Sequence, residues 1–302
     1  MRRYGIGLTL LAVWCVTAML AAQGAEPKRD PVAGEERSIE IADGVKVLVC
    51  YIPAGECQLG SPAAERTEVL KLLKKAKEPA WLSGEAEGVR GKYETKGYWL
   101  GKYEVTQDEW VAVIGSNPSS FRLGGYGEAK VAGMKTGNYP VEGVSWEDCQ
   151  KFLLKVNGRA GLRKSLGGRK SARLPHEDEW EYGYRGGRGN GRAYYWGDGL
   201  NGDKANHNGN YPYGTEEKGA HLKRTTPVGT YENKVKHPWG LCDMSGNVYE
   251  WCDNLYSSEQ TYRTVRGGSW YGIGLSCRGA LRSWYEPSDA NDIGFRLLLP
   301  LD

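Results

Sequence analysis

The chain has 302 residues, enough for one large or two small domains, and its 40 Lys and Arg residues nearly balance 37 Asp and Glu residues. The formal net charge of +3 gives no broad electrostatic case for nucleic-acid binding. The sequence has 43 Gly, 11 Trp and 19 Tyr but only 3 Phe, which favours a loop-rich fold whose core contains aromatic side chains with polar tips.

Residues 1–24 have the pattern of a secretory signal peptide. Arg2 and Arg3 precede an apolar run from Gly7 to Ala22, and Ala22-Gln23-Gly24 has small residues where a signal peptidase reads them. An uncleaved anchor helix is the alternative, but the run is short for a membrane span. We therefore predict a secreted or periplasmic protein with no stable membrane span after cleavage.

Six cysteines remain after residue 24, in a compartment that permits disulfides. They are Cys50, Cys57, Cys149, Cys242, Cys252 and Cys277. Six cysteines allow fifteen pairings, among which the sequence does not choose. Cys50 with Cys57, across a predicted hairpin turn, and Cys252 with Cys277 are the candidate pairs. The sequence has no CxxC metal pair and its four histidines are scattered, so no zinc site is predicted.

A polar linker at 25–37 is followed by residues 38–302, in which the residue patterns predict both strands and helices. Alternating β-branched residues predict a strand at Ile39–Tyr51, which Pro53-Ala54-Gly55 turns into a hairpin with Glu56–Gly60. Apolar spacing in Pro62–Lys77 predicts an amphipathic helix.

Three further helices have start signals in the sequence. Thr106 is followed three residues later by Glu109, which is a capping box, and Ser145 caps the next helix. Pro175 suits the first turn of a third helix. Residues 186–226 show no regular period, which indicates a functional or metal-tied loop region, and strands within 264–299 close the domain.

The stretch Gly240–Cys252 has the most distinctive chemistry. Asp243 and Glu250 are separated by about 10 Å of rise in a helix or more than about 20 Å in a strand, so neither form brings both acids to one point. A turn at Ser245-Gly246-Asn247 does, because Gly and Asn accept positive φ. Two carboxylates with loop carbonyls suit Ca²⁺; alternatively, the acids simply hydrogen-bond the turn.

This stretch resembles the G-L-x-[DN]-M-x-G-N-V-x-E-W block of the formylglycine-generating (sulfatase-modifying factor) family. Four further blocks match in the family's order: Y-E-V-T-Q-x-x-W at Tyr103–Trp110, P-V-x-x-V-S-W-x-D at Pro140–Asp148, R-L-P-x-E-x-E-W-E-Y at Arg173–Tyr182, and R-G-G-S-W with C-R-x-A-x-R and G-F-R at Arg266–Arg296. The resemblance implies an α+β domain over residues 38–302 with a C-type-lectin-like fold that is loop-rich and has little regular secondary structure. It also implies a family whose enzymes modify a cysteine of sulfatases.

The resemblance implies a Ca²⁺ site formed by the Asp243 and Glu250 side chains with the Gly246 and Val248 carbonyls. A second family calcium site uses an Asn-x pair and a downstream Asp. Asn206-His207 matches the pair, but Ala220 stands where the Asp is expected unless Glu216 or Glu217 substitutes for it.

The family's enzymes bind Cu(I) through two thiolates in a C-x-x-x-x-C pattern after G-G-S. Counted from Ser269, Cys277 matches the second thiolate and Gly272 the first; counted back from Arg282, Cys277 matches neither. One thiolate does not complete a two-sulfur Cu(I) site, so Cu(I) is not expected. Cys277 and Ser269 are the only candidate catalytic residues. Asp292 replaces an Asn that the family places beside its peptide substrate.

The sequence thus predicts an exported, calcium-stabilised binding or accessory module of the family. The alternative is a formylglycine-generating oxidase that recruits an unrecognised second copper ligand. The predicted ligand is a peptide, protein or glycan of the envelope or the cell exterior, and the lectin-like variable proteins of diversity-generating retroelements share the R-G-G-S-W…G-F-R layout. The predicted ligand-binding surface consists of Trp270, Tyr271, Trp284, Tyr285, Asp289 and Asp292. Aromatics at these positions are equally compatible with a Trp-rich core.

Overall fold

A computed structural model describes residues 29–76, 90–160, 162 and 171–301 of the chain. The predicted leader, residues 1–24, lies outside the described residues. From Pro31 onward the described residues form one compact unit. In this part of the chain no helix combines the length and the apolar character that crossing a membrane requires.

The described residues form short strands and helices joined by long loops. The strands are β1 (Glu36–Ala42), β2 (Val45–Ile52), β3 (Gly55–Leu59), β4 (Gly91–Thr95), β5 (Tyr98–Gly101), β6 (Tyr249–Leu255), β7 (Arg263–Arg266), β8 (Ser283–Tyr285), β9 (Ile293–Gly294) and β10 (Leu298–Pro300). The helices are α1 (Ala63–Ala76), α2 (Gln107–Ile114), α3 (Trp146–Asn157) and α4 (Glu177–Arg185).

The strands form two four-stranded sheets and one two-stranded ribbon. The first sheet has the order β1-β2-β5-β10, the ribbon pairs β3 with β4, and the last sheet has the order β8-β7-β6-β9. The stretch Gly240–Cys252, called the central motif below, ends in the last sheet. Its final residues form the start of β6, which pairs in parallel with β9 from Tyr249 and Ile293 onward. Strand β10 returns to the first sheet beside β5, so the end of the domain closes on its beginning.

The predicted single strand at Ile39–Tyr51 is wrong, because the structure forms a hairpin of β1 and β2 there. Asp43 and Gly44 make the turn, and Gly44 has a φ of +73°. Asp-Gly is a strong signal for a two-residue hairpin turn, so the sequence contained this information. The hairpin predicted at Pro53-Ala54-Gly55 is also wrong, because β3 pairs with β4 and not with β2.

The helix starts agree well with the capping signals. Thr106 and Ser145 both form capping boxes, with Glu109 and Asp148 respectively, at the starts of α2 and α3. Helix α4 starts two residues later than predicted: His176 is its N-cap, and Pro175 precedes it. Such local signals are reliable because the cap side chain bonds backbone N–H groups that the first helical turn leaves free.

The largest apolar cluster packs α2 and α3 against the sheets. Trp110 of α2 stacks on Phe152 of α3 with 5.3 Å between ring centroids, and both rings meet the edge of Phe295. Trp251 of β6 is fully buried in the same cluster. Aromatic rings, among them two of the three Phe residues, thus pack together with many Val and Leu side chains in this cluster.

Both candidate disulfides are corrected by the structure, in which the six described cysteines are free and buried. Cys50 lies in the first sheet and Cys57 in the separate β3-β4 ribbon, because the predicted hairpin between them does not form. Cys252 lies within β6. The Cys277 Sγ instead lies against Gly268, since a Cβ added to Gly268 would be 2.7 Å from that sulfur atom. The predicted partners are thus close to the same turn or motif in the sequence, but their sulfur atoms do not form disulfides in the structure.

Candidate functional site

The central motif forms a tight turn that leads into β6. Asp243, Gly246 and Asn247 all have positive φ, at +55°, +79° and +65°. The Gly246 N–H donates to the Gly267 carbonyl, and the Asn247 N–H donates to the Asn206 carbonyl, each at 2.8 Å. An added Cβ on Gly246 would lie 2.3 Å from the Asn206 carbonyl oxygen, so only glycine fits here.

Glu250 forms a buried ion pair with Arg296 of the G-F-R block. Arg296 Nε donates to Glu250 Oε2 at 2.6 Å, and its Nη2 donates to Oε1 at 2.7 Å. Trp180 Nε1 also donates to Oε2, at 2.7 Å. The guanidinium further donates to the Gly101 and Cys242 carbonyls at 2.8 and 3.0 Å. Glu250 therefore links three distant blocks of the chain.

Two further buried acids surround this pair, and one of them was not singled out in the sequence. Glu104 Oε2 accepts from Asn247 Nδ2 at 2.9 Å, and Asp243 Oδ2 accepts from the Gly229 N–H at 2.5 Å. Burial raises the pKa of Asp243 to about 6, and burial together with the Asp243 charge raises the pKa of Glu104. Three carboxyl groups therefore lie around one guanidinium, and burial favours the protonated forms of Glu104 and Asp243.

The predicted calcium ligands are thus arranged differently from the sequence-based expectation. Both Glu250 oxygens already accept hydrogen bonds from Arg296, so a cation at Glu250 competes with a guanidinium. In the described part of the chain no Lys or Arg side chain hydrogen-bonds to Asp243 or Glu104, and both provide oxygens of the kind that Ca²⁺ binds. Among the described residues, no group of three or more His, Cys, Asp or Glu side chains is placed to hold a metal ion. The calcium site stays a prediction.

Ser269 and Asp292 come together on the side of the last sheet where β7 ends and β9 begins. Ser269 Oγ donates to Asp292 Oδ2, although the two residues are 23 positions apart. Ser269 is fully buried and Asp292 is half-buried. The Tyr249 N–H donates to the Asp292 carbonyl at 3.0 Å, which fixes the backbone under the pair. Asp292 is therefore held in one orientation, with its carboxylate at the edge of the surface.

Cys277 lies in a short 3₁₀ turn, Gly274–Cys277, next to this pair. Its side chain has no exposed surface, and its Sγ contacts the Ile273 carbonyl at 3.6 Å. Burial raises the pKa of the Cys277 thiol to about 12. The thiol is therefore protonated at neutral pH, which makes it a weak nucleophile and a weak metal ligand.

The predicted ligand-binding surface divides into two patches. Around Asp292, Tyr285 packs on Tyr249 at 6.1 Å, and Tyr271 is 66% exposed beside Trp270. Trp270 itself is half-buried, since its ring meets Phe121 edge-on at 5.2 Å. We call this patch the Asp292 face, formed by Trp270, Tyr271, Tyr285 and Asp292.

Trp284 belongs to the second patch, on β8. It stacks on Tyr262 with 4.2 Å between ring centroids and 18° between ring planes. Successive residues of a strand point to opposite sides, so Trp284 and its neighbour Tyr285 face different ways. Asp289 accepts from the Glu286 N–H at 3.0 Å and thus closes the loop that follows β8.

Glu142 is a buried acid near the Asp292 face that sequence reasoning missed. It is 2% exposed, and its Oε1 accepts from the Phe121 N–H at 2.9 Å. Burial raises the pKa of Glu142 to about 7, and the nearby charge of Asp292 contributes in the same direction. Its sequence context, Pro-Val-Glu-Gly-Val, is an isolated acid among apolar residues, which is a usable signal for a buried acid.

Comparisons with known proteins agree with the motifs. The model of the sulfatase-modifying factor enzyme 1-like domain matches residues 46–300. The chain is 34% identical over 184 residues to the formylglycine-generating enzyme of Streptomyces coelicolor, covering 53% of this chain and 52% of that protein. It is 31% identical over 167 residues to the inactive C-alpha-formylglycine-generating enzyme 2 of Bos taurus, covering 52% and 49%.

A third relative is named as a chaperone. The chain is 28% identical over 238 residues to the chaperone protein LppX of Paenibacillus barcinonensis, covering 65% of this chain and 76% of that protein. The chain thus spans about half the length of the two formylglycine-generating relatives and three quarters of the chaperone.

Solved structures show the same fold. Treponema denticola variable protein 1 superposes with a TM-score of 0.61 at 23% identity, covering 90% of this chain and all of that one. PvdO from Pseudomonas aeruginosa gives a TM-score of 0.61 at 19% identity, with the same coverage. The predicted α+β, C-type-lectin-like fold is therefore confirmed. On the ordered motifs, the fold and the match over residues 46–300, the chain belongs to the sulfatase-modifying factor enzyme 1-like family.

Proposed function

We propose that this protein is a binding or accessory module of the family that holds a peptide or protein segment on the Asp292 face. The observation that carries the proposal is the Ser269–Asp292 hydrogen bond, which presents an oriented carboxylate at a rim of aromatic side chains. Such a carboxylate accepts hydrogen bonds from peptide N–H groups and pairs with Lys or Arg. Exposed Tyr271 adds apolar contact area with a polar tip.

A copper oxidase is the less favoured candidate, because a two-thiolate copper site needs a partner for Cys277. Cys277 is the only cysteine after Ser269, and its thiol is buried and protonated. A Cβ added at Gly272 would lie 2.6 Å from Ser276 Oγ, so a side chain at this position points toward Ser276. The 34% identity to the Streptomyces coelicolor enzyme and the retained Ser269 are the observations in favour of the oxidase.

One relative is named an inactive enzyme and another is named a chaperone, and these two names support a role without catalysis. Both names describe those proteins only. The apolar leader-like segment at residues 1–24 supports action in the periplasm or outside the cell, where the partner is an exported protein.

Binding is tested with an array of peptides and glycans probed with the purified protein. We expect peptides with basic residues to bind and glycans not to bind. Asp292→Asn should weaken peptide binding about tenfold, because a charge-assisted hydrogen bond contributes roughly 1.5–3 kcal/mol. Ser269→Ala should weaken it less, because Ser269 only orients Asp292. The control is Leu154→Ala, an exposed position on α3. Equal binding by Asp292→Asn and the wild type would refute the assignment of this face.

We further propose that Ca²⁺ stabilises the domain, with Asp243 and Glu104 as side-chain ligands beside the Gly246 and Val248 carbonyls. The grouping of three carboxyl groups around the single Arg296 guanidinium supports the proposal. Ca²⁺ at 100 times its dissociation constant should stabilise the fold by about 2.7 kcal/mol. Thermal melting with Ca²⁺ and with chelator measures this, and Asp243→Asn should abolish the difference. Asp253→Asn, an exposed acid on β6, should retain it. An unchanged melting temperature on chelation would exclude the site.

A further inference from the structure

An open cleft of about 610 Å³ lies between helix α1 and part of the irregular loop region. Its volume is within the range of roughly 300–1,000 Å³ that ligand-binding clefts have. One wall is formed by Pro62 and by α1 as far as Leu72, and the other by residues 191–193, 198 and 212–216. We call it the α1 cleft. It shares no lining residue with the Asp292 face, so it is a second surface of the domain.

Helix α1 is anchored beside this cleft and leaves an apolar side chain in it. Val69 is fully buried in an apolar cluster that includes Ala193 and Tyr213 of the opposite wall. Leu72 is three residues further along and therefore lies on the same side of the helix. It lines the cleft and is 36% exposed. The packing that fixes α1 thus continues into an apolar surface that solvent reaches.

Both walls of the cleft carry carboxylates. The acids are Glu65 and Glu68 on α1, and Asp198 and Glu216 on the opposite wall. Arg192 is the only base among the described residues that line the cleft. Glu65 is committed to the fold, because its Oε1 accepts from the buried Arg278 Nη1 at 2.9 Å. Three acids against one base leave the remaining lining residues with a formal charge of −2.

These three acids are available to a ligand. Glu68 lies 3.6 Å from Lys71 Nζ, but the two side chains are 59% and 69% exposed, and such surface pairs contribute little. Asp198 uses Oδ1 to accept from the Ala193 N–H at 3.1 Å, which leaves Oδ2 on an exposed residue. Glu216 is exposed as well. The cleft therefore offers negative charge on both sides of an apolar floor.

We propose that the α1 cleft binds a segment of a partner protein that carries Lys or Arg residues next to apolar residues such as Leu. The basic side chains pair with the acids of the two walls, and an apolar side chain covers Leu72. Each exposed ion pair contributes only about 0.2–1 kcal/mol, so the segment needs several of them together with the apolar contact. This recognition goes beyond the role proposed for the Asp292 face.

Fluorescence anisotropy with a labelled peptide of Leu and Lys residues tests the proposal. The measurement is made on the Asp292→Asn protein, called the parent here, so that a failure of the Asp292 face does not affect the result. We expect the parent to bind this peptide and added salt to weaken the binding, because salt screens exposed charges. A peptide of Leu and Glu and a peptide of Ser and Lys should each bind at least about tenfold more weakly.

Three variants of the parent change the walls of the cleft. Glu68→Gln with Glu216→Gln should weaken binding of the Leu and Lys peptide about tenfold, since two ion pairs are lost. Leu72→Ser should weaken it by removing the apolar contact. Arg192→Glu should strengthen it, a gain that damage to the fold does not produce. The Arg192 carbonyl, which accepts from Arg185 Nη1 at 2.9 Å, is retained in this variant.

Matched controls remove the same groups outside the cleft. Glu147→Gln with Glu259→Gln removes two exposed charges, and Leu154→Ser replaces an exposed Leu on α3; both should bind like the parent. The proposal is overturned if the cleft variants also bind like the parent, or if spermidine occupies the cleft and the peptide does not. It is equally overturned if sedimentation shows the parent to be a dimer that Leu72→Ser dissociates, because a second copy then covers the cleft.

Discussion

Arg296→Met should lower the free energy of unfolding by about 3–5 kcal/mol, the cost of leaving one member of a buried ion pair alone. Glu250 is then buried without a cation, beside the carboxyl groups of Glu104 and Asp243. The Gly101 and Cys242 carbonyls lose their donor as well. Chemical denaturation monitored by tryptophan fluorescence measures the loss.

The double variant Glu250→Gln with Arg296→Met should recover part of this loss, because the uncompensated charge is removed. Lys151→Met, which breaks the exposed pair between Lys151 and Asp148 on α3, is the control and should leave stability unchanged. If Arg296→Met lowered the free energy of unfolding no more than the control does, the ion pair between Glu250 and Arg296 would not stabilise the fold.

Glu142→Gln should stabilise the protein increasingly as the pH rises from 5 to 8. Burial raises the folded-state pKa of Glu142 from 4.5 to about 7, so the folded state binds a proton that the unfolded state releases. Stability from a protonated Glu142 is therefore present at low pH and lost as the pH rises from about 4.5 to 7. A shift of this size corresponds to about 3 kcal/mol.

Melting curves of both proteins at several pH values between 5 and 8 measure the difference. Histidines with lowered pKa contribute the opposite trend in both proteins, so only the difference between them reports on Glu142. Glu216→Gln, at an exposed acid, should parallel the wild type throughout. A constant gap between Glu142→Gln and the wild type would contradict the raised pKa.

Local features of the fold could be predicted from the sequence, and long-range ones could not. The capping boxes at Thr106 and Ser145 involve residues three apart, so their signals are complete within the sequence. The pairing of β3 with β4 depends on strands 32 or more residues apart, which no turn signal reports. Turn chemistry also misled the cysteine assignment, because an expected hairpin placed Cys57 beside Cys50.

The candidate site shows the same limit. Ser269 and Asp292 were both predicted to be functional, but their hydrogen bond depends on the pairing of β7 and β9 with the two sides of β6. Glu250 was predicted to bind a cation; the structure supplies one in Arg296, 46 positions away. Only the five family blocks anticipated this, because their joint presence predicts the fold that brings them together.

Exposure of the purified protein to Cu(I), oxygen and a bound C-x-P-x-R peptide, followed by mass spectrometry of the peptide, tests the binding role most directly. The account predicts that the peptide is recovered unchanged while the Asp292 face still retains it. Conversion of its cysteine to the aldehyde of formylglycine would contradict the account and make the protein an oxidase.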